Sequence, residues 1–76
     1  MKTYLRLGAD TLAQATRYPS KKAAIAAYAD IARELDRYGQ SIEATLHYAR
    51  NADELAEYPD FHVYMTDAGV IRCWPV

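Results

Sequence analysis

The sequence predicts an α+β fold, with one main helix packed on a small, mostly antiparallel sheet of three to five strands, in a single domain over residues 1–76. Three observations carry this expectation. Between residues 21 and 38, apolar side chains recur every three or four positions, the period of a helix with one buried stripe. Residues 41–50 and 61–74 instead alternate apolar and polar side chains, the period of strands with one covered face. Composition agrees, since 51% of the 76 residues are hydrophobic and only six are Gly or Pro, which suits a packed core. A chain of 8.6 kDa should still expose roughly 4,700 Å² when folded, leaving a thin core and little room for a deep substrate cleft.

Taken in order, residues 3–9 read as a first strand with Leu5 and Leu7 inward and Tyr4 and Arg6 outward. Residues 12–18 admit two readings: a strand closing a hairpin across Gly8-Ala9-Asp10-Thr11, or a short helix begun by Asp10. The strand gives the more compact route into Pro19-Ser20 and the helix beyond. Ser20 can accept from the free donors of the helix's first turn, and Gly39 can take the left-handed conformation that ends it. Ala24, Tyr28, Ile31 and Leu35 form the expected buried stripe, widened by Ala27 and Ala32. Small alanines on that side let the helix approach a sheet closely.

In residues 41–50, Ile42, Ala44, Leu46 and Tyr48 lie on one side, with Glu43, Thr45 and His47 on the side expected to be wet. Asn51 and Glu54 stand at capping-box spacing, which predicts one helical turn ending before Pro59. Phe61, Val63 and Met65 then alternate with His62, Tyr64 and Thr66. Asp67, Ala68 and Gly69 supply a turn, and residues 70–74 complete a hairpin. With Gly69 as a bulge residue, Ile71 and Cys73 share the face of Phe61, Val63 and Met65, while Val70, Arg72 and Trp74 join His62 and Tyr64. Tyrosines at 18, 28, 38, 48 and 58 mark no repeat, because their neighbours differ and they fall on different kinds of element.

Little in the chain suggests catalysis. Cys73 is the single cysteine, and with only His47 and His62 beside it there is no spaced ligand set for zinc, so neither a metal nor any other cofactor is expected. The three glycines are isolated, so there is no phosphate-cradling loop. A nucleophile needs a base in reach and a group to orient it, and no local motif supplies that set. The lone cysteine, the absence of a continuous apolar leader and apolar runs far short of a membrane span suggest a cytoplasmic protein with no membrane role.

Binding is the better-supported class, and two surfaces compete for it. One is the sheet face that a single helix leaves open, which should display Tyr4, Arg6, Thr45, His47, His62, Tyr64, Arg72 and Trp74. Tyr, Trp and Arg are enriched where interfaces concentrate their energy, and aromatic sheets also stack single-stranded bases. The same set suits cross-strand packing or a homodimer seam equally well. The other surface is acidic: Asp53, Glu54, Glu57 and Asp60 fall within eight residues, with Asp67 on the neighbouring turn. Carboxylates three or four apart on a helical turn lie about 5–6 Å from one another, close to the spacing of phosphates along a nucleic acid strand. Net charge is also divided along the chain, +4 over residues 1–33 and −5 over residues 34–76, and one charged patch would steer a partner of opposite sign.

With those acids in view, the chain resembles the small phage and mobile-element proteins that inhibit CRISPR systems, and is similar to anti-CRISPR proteins of the type I class, type I-C included. The resemblance is one of kind: a very short chain, one helix on a small antiparallel sheet, no catalytic motif, and clustered acids such as Asp53-Glu54 with Glu57 and Asp60. It implies a non-enzymatic inhibitor that binds a Cas surveillance complex or nuclease by occupying its DNA-reading surface as a DNA mimic. A net charge of −1 departs from the strongly acidic mimics of that group.

Overall fold

The computed structural model describes all of residues 1–76. Strand β1 (Lys2–Leu7) leads through a 3-10 turn (Leu12–Gln14) to β2 (Thr16–Tyr18) and then to the helix α1 (Lys21–Asp36). Strand β3 (Ala44–Ala49), a second 3-10 turn (Ala52–Glu54), β4 (Phe61–Met65) and β5 (Ile71–Pro75) follow. The five strands form one sheet in the order β2-β1-β3-β4-β5, every neighbouring pair antiparallel. One helix on an antiparallel sheet is the expected α+β class.

The helix begins where Ser20 accepts a hydrogen bond from Ala23 N–H at 3.1 Å. It closes when Gln40 N–H donates to Leu35 C=O and Gly39 N–H to Asp36 C=O, with Gly39 at φ +70°. This pair of bonds is a Schellman closure, for which a residue free to be left-handed is needed. The regular helix therefore stops at Asp36 rather than Tyr38. Its buried row is Ala24, Tyr28, Ala32, with Ala29 beside it, whereas Ile31 and Leu35 are only half-buried. A row spaced by four runs along one line of the helix, and its alanines let the backbone sit close over Leu5, Ala44, Leu46 and Val63. Tyr28, wholly buried, donates its hydroxyl to Ile42 C=O, and burial raises its pKa above the usual phenol value.

Further boundaries differ from the sequence-based expectations: the first strand spans Lys2–Leu7 rather than residues 3–9, and the last Ile71–Pro75 rather than residues 70–74. Residues 12–18 take both proposed forms in turn: Leu12–Gln14 is a 3-10 turn and only Thr16–Tyr18 pairs with β1. Thr11, not Asp10, opens the turn, with its backbone N–H donating to Gln14 Oε1 at 2.9 Å. The strand expected over 41–50 spans only Ala44–Ala49. The β4–β5 hairpin follows the expected register, pairing His62 with Trp74 and Val63 with Cys73, and Gly69 has φ +81°. The molecule measures 35 × 20 × 20 Å and exposes 5,156 Å², more than the roughly 4,700 Å² expected of a folded chain of this mass.

Candidate functional site

The sheet face away from the helix follows from the registers. It carries Lys2, Tyr4 and Arg6 from β1, Arg17 from β2, Thr45, His47 and Ala49 from β3, His62 and Tyr64 from β4, and Arg72 and Trp74 from β5. This is the face expected to be open, but its middle is not. Residues 50–60 leave β3 and cross back over β1 and β3, and the contacts that hold them form a connected polar chain.

His47 sits at its centre. Its Nδ1 lies 2.9 Å from Ala56 C=O, which can only accept, so Nδ1 carries the proton. Nε2 is then the acceptor in the neutral ring and takes the Thr45 hydroxyl proton at 2.8 Å. Thr45 Oγ1 in turn accepts from Arg6 Nε at 3.3 Å, and Arg6 Nη1 pairs with Glu57 Oε2 at 3.0 Å. With a neutral imidazole each of these donors faces an acceptor, whereas a protonated ring would reverse the Thr45 contact and leave the hydroxyl proton without this partner. Burial, the main cause, pushes the His47 pKa below its ordinary value, and the Arg6 charge pushes the same way against Asp60, Glu57 and the Ala56 carbonyl.

Two residues on this face are therefore corrected. His47, expected on the wet side, is 1% exposed, and Tyr4, its cross-strand neighbour, is 5% exposed. Neither can line a docking surface. Arg6 points as expected, but its side chain is largely covered and committed to Glu57 and Thr45. Hydroxyl, imidazole and carbonyl here have the order of a nucleophile, its base and an orienting group, yet the base is sealed from substrate and no further donors converge on Thr45. The set is a fastening for the crossing segment.

The acidic residues divide. Glu57 is paired with Arg6, and Glu54 makes a two-point contact with Arg50 at 2.9 and 3.0 Å. Asp60 accepts the Tyr48 N–H at 2.7 Å. The expected turn is present at Ala52–Glu54, but Asn51 accepts from Asp53 N–H, and the Glu54 side chain turns to Arg50 instead of closing a capping box. Asp53 and Asp67 alone among the five have no side-chain partner. Two guanidinium groups thus offset two of the five carboxylates, which lowers the local charge from −5 to −3.

At the hairpin the face is open. His62, Arg72 and Trp74 are exposed, Trp74 by 54%, and Tyr64 is half-buried beside them. Trp74 Nε1–H donates to the Tyr64 hydroxyl at 2.9 Å, which fixes the two rings relative to each other. On the reverse side Cys73 is half-buried, and burial raises its thiol pKa although Lys21 opposes this. No three His, Cys, Asp or Glu side chains gather where a metal ion could sit, and no helix is long and apolar enough to cross a membrane. Comparison of the chain with protein-family models, with curated proteins and with solved structures gives no match.

Proposed function

We propose that this chain is a non-enzymatic binding protein that attaches to a larger protein assembly through the open face of its β4–β5 hairpin. The supporting observation is the juxtaposition of His62, Tyr64, Arg72 and Trp74 on a stretch of sheet that nothing covers, with the Trp74–Tyr64 hydrogen bond orienting both rings in advance. An aromatic group already held in place loses little conformational freedom on docking, which is how a small patch gains affinity. The acidic segment is the weaker candidate, since three of its carboxylates are engaged within the chain. A single-stranded nucleic acid is also a poor fit, because the Asp53–Glu57 segment interrupts the path between the cations of β1 and the aromatics of β5.

The resemblance to anti-CRISPR inhibitors supplies the partner to test, a type I Cas surveillance complex. Immobilised chain should retain the complex, and Trp74→Ala with Tyr64→Ala should weaken retention at least about thirtyfold, the loss of a hot spot worth about 2 kcal/mol. Asp53→Lys with Asp67→Lys should leave it unchanged. The opposite pattern would move the site to the acids, and no retention by the wild-type chain would remove this partner altogether.

A further inference from the structure

Strand β5 is an edge of the sheet, and its free side can be read residue by residue. Thr66 N–H donates to Val70 C=O at 2.8 Å and Val76 N–H to Asp60 C=O at 3.1 Å. Both bonds extend the register that pairs His62 with Trp74 and Tyr64 with Arg72. Hydrogen-bonded pairs alternate along an antiparallel ladder, so Arg72 and Trp74 direct their backbone groups at β4, and Ile71, Cys73 and Pro75 direct theirs outward. The outward row offers N–H at Ile71 and Cys73 and C=O at all three positions. Pro75 stands where no donor is spent on β4, the placement a strand proline requires. The opposite edge, β2, has only three residues.

We propose that this edge pairs with β5 of a second copy of the chain, antiparallel, with Cys73 opposite the partner's Cys73. Hydrogen bonding and charge choose the register. Centred on Cys73, the two cysteines exchange both backbone bonds, and each Ile71 N–H reaches the partner's Pro75 C=O, so every outward donor is used and the missing proline donor costs only an acceptor its partner. Centring on Arg72 makes as many bonds but sets two guanidinium groups directly opposite, a repulsive cross-strand pair. Centring on Trp74 leaves the Ile71 donors unpaired, and centring on Ile71 runs the pairing into the turn at Gly69.

Side chains agree with the Cys73 register. On the open face, Arg72 falls opposite the partner's Trp74, twice by symmetry, where a guanidinium meets an aromatic ring. Val70 falls opposite the partner's Val76. Val70, Trp74 and Val76, exposed by 46, 54 and 52%, thus all gain neighbours. The dimer would carry a continuous ten-stranded sheet with both helices on one side.

The inference goes beyond the face reading, and either can fail alone, since Cys73→Pro removes an outward donor and leaves His62, Tyr64, Arg72 and Trp74 in place. Sedimentation equilibrium of the full chain from about 5 to 200 µM should show a concentration-dependent dimer. Cys73→Pro should be monomeric throughout that range, and Ile71→Pro, which removes the other outward donor, is the second variant should the first not fold. Diamide, which takes up the two electrons and two protons of disulfide formation, should link the wild-type chains through Cys73. The expected Cα separation of about 5.5 Å permits that bond. A wild-type monomer at the highest concentration overturns the proposal, as does a dimer that persists in a folded proline variant or resists diamide linkage.

Discussion

Thr45→Val tests the polar chain under residues 50–60 with almost no change of shape. Valine keeps the branched side chain and suits a strand, so a hydroxyl without a role would cost nothing. In the structure that hydroxyl donates to His47 Nε2 and accepts from Arg6 Nε. Its loss leaves a buried imidazole nitrogen without a donor, at a cost of about 1–3 kcal/mol. A value near 2 kcal/mol is a fall in Tm of roughly 8–16 °C for a domain of this size, out of a total stability of about 4–11 kcal/mol. The variant should also alter the pH profile. An unfolded histidine titrates near pH 6.5, whereas folded His47 takes a proton only at lower pH. Between those two values the unfolded chain holds more protons, so wild-type stability is complete above about pH 6.5 and declines as pH falls toward the folded pKa. Without the Thr45 donor the neutral ring is less favoured and the decline should be shallower. Thermal melts from pH 5 to 8 measure both effects. A Tm within about 1 °C of wild type at pH 7.5 refutes the network.

Other substitutions isolate single causes. Tyr28→Phe removes the donor to Ile42 C=O without opening a cavity, and chemical denaturation should show a loss of about 1–2 kcal/mol. Gly39→Ala meets nothing within 4 Å at φ +70°, so its cost should be backbone strain alone, about 1 kcal/mol. Gly8→Ala carries similar strain at φ +53°, and its Cβ would meet Ile42 Cγ1 at 3.4 Å, an ordinary contact, so its loss in the same assay should be about that of Gly39→Ala. Ser20→Ala should cost about 1 kcal/mol through the Ala23 N–H it leaves unpaired.

Local signals account for what the sequence revealed of the fold. Ser20, Gly39 and Gly69 each act within a few residues, and the period of two in the hairpin sets which side chains share a face with Trp74. His47 was misplaced because alternation separates two faces without saying what covers either. The cover comes from Ala56, nine residues on, and its anchor joins Arg6 to Glu57 across 51 positions. A hint was present: the supposedly wet face also carried Tyr4 and Ala49, an aromatic and a small apolar residue that a fully solvated face does not need. The expected helix stripe includes Ala24, Tyr28 and Ala32, but its period cannot rank Ile31 against Ala32, since both are apolar and only the sheet beneath selects Ala32.

The division of charge along the chain is bridged in the fold at one ion pair. Arg6, from the basic half, is bound to Glu57 in the acidic half, and Lys21 lies 3.9 Å over the Phe61 ring in β4. Within the second half Arg50 answers Glu54. The groups paired in this way offset one another, and at physiological salt their fields fade within about 8–10 Å, so these pairs add little to the steering of a partner. On the proposed reading, affinity at the hairpin face would come from contact, as apolar ring surface leaves water around Trp74 and Tyr64 and the Arg72 guanidinium finds an acceptor or a ring. Such an interface forms at an unsteered rate and tolerates salt, whereas a row of carboxylates standing in for phosphates would need the opposite in both respects. Three of the five acids, Glu54, Glu57 and Asp60, are engaged within the chain, and this is why the proposed reading places binding at the aromatic hairpin rather than at the acids.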